Sequence, residues 1–237
     1  MTWYQEWFGE EYLELYSHRD EHEARQQVAF FAGQAGRVDG PVLDLACGMG
    51  RHMQELQAAG YHAVGCDLSH VLLRTGMREY GAMPLARADM RALPFCDGVF
   101  AGLVNFFTSF GYFATEDENL QVVREMARVL DKGAHFLFDY LNVHRELEKL
   151  VQRETRETPM GPVKLERWFD SSDRSFNKRI TIGEKRYIER VRGYDLDEIS
   201  AMFASSNLSI RSSFGNFDGD PFGRASERLI LVGSRGR

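Results

Sequence analysis

The sequence predicts an α/β fold: a three-layer sandwich on a mostly parallel seven-stranded sheet with an antiparallel last strand, plus a small antiparallel β insertion. Three observations predict it. From residue 41 to residue 141, apolar strand-like runs alternate with segments of helical periodicity, the rhythm of right-handed strand–helix–strand units. From Glu154 to Gly193 that rhythm gives way to short alternating strands punctuated by turn signals. The chain then closes with one helix and two strand-like segments, an antiparallel pair at a sheet edge. A chain of 237 residues suits one α/β domain carrying an insertion. The expected division is therefore 1–149 for N-terminal helices and core, 150–193 for an insertion acting as lid or subunit contact, and 194–237 for the rest of the core.

The elements follow in order. Residues 1–19 are crowded with aromatics: Trp3, Tyr4, Trp7, Phe8, Tyr12 and Tyr16. In "DEHEARQQVAFFAGQAG", Asp20 is placed to cap a helix, with Glu23 reaching back from the third helical position. Ala24, Val28, Phe31 and Ala35 share a face, and Gly36 can end the helix. "PVLDLA" predicts a strand, "GRHMQELQAAG" a helix, and "YHAVGCDLS" a strand ending at a carboxylate. "SHVLLRTGMREYG" predicts a helix capped by Ser69. "AMPLARADM" and "FAGLVNFF" predict strands. "ENLQVVREMARVLDKG" predicts a helix with Leu120, Val123, Met126, Ala127 and Leu130 inward, closed by Gly133, and "AHFLFDYLN" the fifth strand. The insertion reads as three or four strands, drawn from "RETRET", "GPVKLERWFD", "FNKRITIGE" and "KRYIERVRG", with turns at "MGP" and "IGEK". "DLDEISAMFASSN" predicts the last helix, before "LSIRSSFGNF" and "ERLILVGSR".

Bulk properties narrow the partners. The net charge is −6 and no basic run exceeds a pair, against the clustered Lys and Arg of nucleic-acid binding. No apolar run approaches the ~18 residues of a membrane span, and the N-terminus lacks the basic region of a signal peptide. Cys47, Cys66 and Cys96 form no C-x-x-C, which fits a reducing, cytoplasmic setting. "HRDEH" at 18–22 matches a H-x-x-E-H zinc pattern, but a helix starting at Asp20 leaves His18 outside it, so no metal is expected. The expected state is a monomer or homodimer with a small-molecule partner.

The chemistry centres on "VLDLACGMGRH". In an open parallel sheet, ligands bind beyond the carboxyl ends of the strands, next to the first strand. Gly48 and Gly50 supply a tight turn there, but Arg51 and His52 stand where a pyrophosphate-binding pattern would continue toward a third glycine. Asp67, 19 residues after Gly48, ends the second strand, where a carboxylate can accept both hydroxyls of a ribose. The pairing suggests an adenosine-type cofactor.

At these residues the sequence resembles the class I S-adenosylmethionine-dependent methyltransferases. "VLDLACGMGRH" resembles their first motif, "VGCDLS" the second, "ARADMRALPF" the third, and "VNFFTSFGYF" the segment after the fourth strand. The resemblance spans roughly residues 10–150 plus the closing helix and strand pair, and implies a Rossmann-like core. It implies that Ala46, Cys47 and Gly48 pass backbone groups along the methionine half of the cofactor, and that Asp44 holds the loop or the amino group. Asp67 would bind the ribose hydroxyls, Leu68 the adenine face, Asp89 the adenine amino group and the Met90 amide a ring nitrogen. Asn105 and Phe106 would face the cofactor beside the sulfonium, with Tyr16 and Arg19 reaching its carboxylate from a covering N-terminal helix. A ligand without phosphate needs no third glycine, and a sulfonium suits aromatics. Phe106, Phe107, Phe110, Tyr112 and Phe113 supply them, although core packing would use the same residues. The implied reaction is methyl transfer to N, O or C of a small molecule, through positioning and desolvation. Tyr112, His144 and Tyr140 are the candidates for a base. The 150–193 insertion is expected to shape the acceptor pocket, with Trp168 and Phe169 lining it or packing a subunit contact. The alternatives are a nicotinamide-dependent oxidoreductase and a non-catalytic S-adenosylmethionine-binding protein.

Overall fold

The structure is a computed structural model in which residues 2–16 and 21–237 are described. His18, Arg19 and Asp20, with the helix cap and the zinc pattern built on them, lie outside the described residues. The main sheet contains β1 (Pro41–Leu45), β2 (His62–Asp67), β3 (Leu85–Arg87), β4 (Phe100–Asn105), β5 (Leu130–Leu141), β10 (Leu208–Phe214) and β11 (Arg228–Arg235). Their order is β10-β11-β5-β4-β1-β2-β3. β1 pairs in parallel with β2 and β4, as do β2 with β3 and β4 with β5. β11 runs antiparallel to both β5 and β10. This is the predicted sheet, and its order reverses at β1, which opens the ligand crevice beyond the carboxyl end of that strand.

Strand residues alternate between two cores. Leu43, Leu45 and Leu103 pack with Val123 and Met126 of α6 (Glu116–Val129) and Phe203 of α8 (Leu196–Ser205). Val42 and Val104 pack with Val28 and Phe31 of α3 (Glu21–Ala35) and Met53 and Leu56 of α4 (Arg51–Ala58). The crossover helix α5 (His70–Tyr80) is capped by Ser69, whose hydroxyl accepts from Leu72 N at 3.1 Å.

Some boundaries differ from the sequence expectation. α6 stops at Val129, and Leu130 is already extended (φ −70°, ψ 140°), so Leu130 and Gly133 belong to β5. Pairing of Leu130 with Phe100 of β4 wins over helical periodicity there. Leu120 and Ala35 are only half-buried. A short helix α7 (Val143–Glu148), capped by Asn142, follows β5 and has no strong sequence signal. Among the described residues no helix is long and apolar enough to cross a membrane.

The insertion forms a separate sheet of β6 (Arg153–Thr158), β7 (Gly161–Asp170), β8 (Ser175–Ile182) and β9 (Lys185–Arg192), antiparallel in chain order. Its inward residues Val163, Leu165, Ile180 and Ile182 make a third core with Trp7 of α1 (Trp3–Trp7) and Leu15 of α2 (Glu10–Leu15). Neither partner could bury this surface alone: α1 and α2 are shorter than an independently stable helix, and β6–β9 expose an apolar face.

Candidate active site

The turn after β1 is shaped by left-handed backbone at Ala46 (φ 59°), Gly48 (φ 57°) and Gly50 (φ 88°). Ala46 takes this conformation despite its Cβ, a local strain of about 1 kcal/mol. The bonds Cys47 N to Cys66 O (3.0 Å) and Gly50 N to Cys47 O (2.9 Å) hold the turn against β2. α5 presses on it through Gly76, where a Cβ would stand 1.9 Å from the Met49 carbonyl oxygen. The amide a phosphate would use is already committed: Gly48 N–H donates to Asp67 Oδ2 at 2.9 Å, and Ser69 N–H to Asp67 Oδ1 at 2.7 Å. A carboxylate offers about four acceptor positions, so Asp67 keeps two for a diol while its charge opposes a phosphate.

The floor beside it is acidic. Asp44 is 1% exposed, and its Oδ2 has no hydrogen-bond partner among the described residues. Burial, and then the charge of Asp67, push its carboxyl up to about 8, with Arg51 opposing. Burial also raises Asp67, countered by its amide donors. Asp89 goes the other way: burial pushes it up, but Arg91 more than reverses this through its side chain and amide, and the carboxyl ends below its usual value. Arg91 is itself held by Glu118 and lies over the Phe113 ring at 4.2 Å. The Cys47 thiol is raised well above its usual range by burial and stays protonated.

A cavity of about 890 Å³ lies over this floor, a size typical of small-molecule sites. Asp44, Ala46, Cys47, Gly48, Asp67, Leu68, Asp89, Met90, Phe106, Tyr16 and Tyr112 line it. The roof is an aromatic chain of the N-terminal segment and Tyr112, with Phe8 stacked on Tyr112 at 5.8 Å and Tyr12 tilted against Tyr16 at 4.8 Å.

Three expected site residues lie elsewhere. Asn105 is 2% exposed and donates to Leu45 O at 2.8 Å, tying β4 to β1 rather than facing the cavity. Tyr140 is fully buried in the α6 core and donates to the Arg192 carbonyl. His144 sits on α7 beside a separate cavity of about 250 Å³. Tyr112 is thus the one candidate base that lines the main cavity. The insertion also differs from expectation, since none of its described residues lines the cavity. Trp168 faces outward, half-exposed under Arg179, and Phe169 packs on Phe176. The insertion instead holds the roof: Glu189 Oε1 accepts from Trp7 Nε1 and from the Tyr16 hydroxyl (3.2 Å), and Lys178 pairs with Glu189 and donates to that hydroxyl.

One wall residue was not anticipated. His52, 5% exposed, places Nε2 2.6 Å from Gln27 Oε1 and stacks on Phe106 at 4.2 Å. A glutamine on the apolar face of α3 was the available signal.

The residues fit S-adenosylmethionine. The orphaned Asp44 oxygen is an acceptor for an ammonium, Asp67 has places for two hydroxyls, and aromatics stand over an acidic floor, as a cation needs. Sheet order, the antiparallel β11 and the position of the crevice define the class I methyltransferase architecture. Residues 42–133 match the sequence profile of the methyltransferase domain family. The chain is 29% identical over 135 residues to YqeM of Bacillus subtilis (strain 168), a protein assigned as a methyltransferase, covering 56% of this chain and 53% of that one. It shares its fold with an S-adenosylmethionine-dependent methyltransferase from Clostridium acetobutylicum (TM-score 0.79, 20% identity, 95% of this chain and 96% of that one). It also shares it with the CcbJ methyltransferase from Streptomyces caelestis (TM-score 0.80, 17% identity, 100% and 99%). The nicotinamide alternative finds no support in these matches.

Proposed function

We propose that the protein is an S-adenosylmethionine-dependent methyltransferase that modifies an N, O or C atom of a small molecule. The observation that carries the proposal is the floor: Asp67 spends the Gly48 amide on its own carboxylate beside buried Asp44, whose Oδ2 has no partner among the described residues. In this reading Asp67 receives the ribose hydroxyls, Asp89 the adenine amino group, Asp44 and the turn the amino-acid end, and Phe106 the sulfonium. Bound S-adenosylmethionine would supply an activated methyl group, which an acceptor lone pair takes as the C–S electrons return to sulfur. The protein's part is orientation and exclusion of water under the aromatic roof. Tyr112, which lines the cavity, would take the acceptor's proton as a phenolate; without such a base the proton goes to solvent.

The 1–149 and 194–237 segments would form the cofactor-binding unit, and 150–193 would act by bracing the roof. The three free cysteines agree with a cytoplasmic setting. Calorimetric titration with S-adenosylhomocysteine tests the reading, and no binding at millimolar ligand would sink it. Methyl transfer from labelled cofactor into a metabolite extract separates an enzyme from a non-catalytic binder.

A further inference from the structure

Just beyond β4 the chain makes a turn that the residues in it resist. Phe107 (φ 60°) and Thr108 (φ 59°) are consecutive left-handed residues. Left-handed backbone is unfavourable for any residue with a Cβ, and most of all for a β-branched one. No glycine stands at either position. Such strain persists only where the surroundings over-determine it.

The surroundings here are one ion pair, between a buried carboxylate and a half-buried guanidinium. Asp139, on β5, has no exposed surface. Its Oδ2 accepts from Phe107 N at 2.8 Å, and its backbone carbonyl accepts from Thr108 N at 3.1 Å. Its Oδ1 accepts from Arg228 Nε at 2.7 Å. Arg228, on β11, then donates through Nη2 to Thr108 Oγ1 at 2.8 Å, across 120 residues of sequence. Both amides and the one hydroxyl of the strained pair are thus held by two other strands. The turn sets a wall of the cavity. Phe106, Phe107 and Ser109 line it, and Ser109 Oγ donates back to Phe106 O at 2.9 Å. Asp139 and Arg228 do not line the cavity.

We propose that Asp139 and Arg228 are positioning residues: they clamp the Phe107–Thr108 turn in its left-handed form and so fix the aromatic wall against which the ligand of this cavity sits. The consequence for cofactor binding rests on the methyltransferase reading; the clamp itself does not. Released from the pair, Thr108 relaxes toward ordinary backbone, the peptide planes rotate, and Phe106 leaves its stack on His52. Glycine at position 108 would hold the left-handed form without help.

The test compares wild type, D139N, R228K and the double variant D139N/T108G. D139N keeps the shape of the side chain, and R228K keeps the charge while losing the fork that spans Asp139 and Thr108. Three readouts are taken: hydrogen–deuterium exchange over 104–113 without added ligand, calorimetric affinity for S-adenosylhomocysteine, and the melting temperature. The expected result is faster exchange at 106–109 in D139N and R228K with α3 and α6 unchanged, and an affinity loss of about tenfold. D139N/T108G should regain both protection and affinity. A lower melting temperature with unchanged exchange at 106–109 and unchanged affinity would overturn the proposal, as would failure of T108G to restore either readout. If wild type does not bind S-adenosylhomocysteine, the methyltransferase reading fails and the exchange data alone decide the clamp. If D139N does not fold, R228K decides it by the same readouts.

Discussion

The floor and the roof of the cavity are built by opposite means. The floor is local and made of backbone: left-handed residues at 46, 48 and 50 and one carboxylate 19 residues on that collects two amides. The roof is made of side chains that meet across 182 residues for Trp7 and Glu189 and 173 for Tyr16 and Glu189. A floor built from amides tolerates changes of side chain but not of backbone or of Asp67. A roof built from packing is where stability and ligand access are joined. Changes to the two should therefore fail differently: the floor through affinity, the roof through stability first.

The largest effect is expected in the roof. Trp7 is 1% exposed, packs on Tyr187 at 4.9 Å and joins the α1–α2 segment to the insertion core. Truncating a buried tryptophan costs about 3–5 kcal/mol, so Trp7→Ala should lower unfolding stability by that order in a urea melt. A loss below about 1 kcal/mol would mean that the roof is not part of the cooperative fold. In the floor, Asp67→Ala removes the acceptor of two amides and of the proposed ribose contacts. S-adenosylhomocysteine affinity should drop about a hundredfold, close to 3 kcal/mol, typical of lost charge-assisted bonds. Equal affinity in Asp67→Ala and wild type would break the assignment of the floor.

The contrast also explains what was legible in the sequence. The glycine turn, Asp67 and Asp89 lie in short contiguous motifs whose spacing carries their geometry, so their convergence on one cavity is legible in the chain alone. Asn105 and Tyr140 were misplaced by one step of a period of two. Phe138 and Tyr140 point into the α6 core while Leu137 belongs to the opposite one, so Asp139 shares a face with Leu137 and Tyr140 does not. Asn105 likewise shares the face of Leu103 rather than that of Val104. A shift of one residue along a strand reverses the face, and being at a strand end says nothing about which face. The role of the insertion was illegible for another reason. Glu189 and Lys178 look like solvated charges in "KRYIERVRG" and "FNKRITIGE", and only the three-dimensional arrangement brings them to Trp7 and Tyr16.

Acidity sharpens the comparison, because the floor titrates near neutrality. Asp44 is raised toward about 8, so the folded chain holds a proton there that the unfolded chain releases from about pH 4 upward. This group's contribution to stability is therefore fully present at low pH and is lost as pH rises toward 8. A ligand ammonium beside Asp44 reverses the preference, since it favours the ionised carboxylate. S-adenosylhomocysteine affinity should rise between pH 6.5 and 8.5, by at most about tenfold per unit, and binding at pH 7 should release a proton to the buffer. Titrations in buffers of different ionisation enthalpy measure this directly. Asp44→Asn should abolish the dependence, and an unchanged pH profile in that variant would remove Asp44 from the ligand's contacts.

The smallest expected effect belongs to Glu189→Gln. The amide keeps an acceptor for Trp7 Nε1 and the Tyr16 hydroxyl but leaves the Lys178 ammonium, 16% exposed, without its counter-charge. Fully buried pairs cost about 3–5 kcal/mol when broken and exposed pairs about 0–1. At this partial exposure a loss of about 1–2 kcal/mol is expected in the same urea melt. Affinity should fall only a few-fold, through the looser placement of Tyr16 in the cavity wall. The Trp7→Phe/Glu189→Gln cycle shows whether the two act as one device: Phe lacks the indole donor and Gln lacks the charge that strengthens its bond, so the paired losses should fall short of additive by about 0.5–1 kcal/mol. Strict additivity would mean that the insertion supports the roof by packing alone, with Glu189 and Lys178 serving only their own sheet.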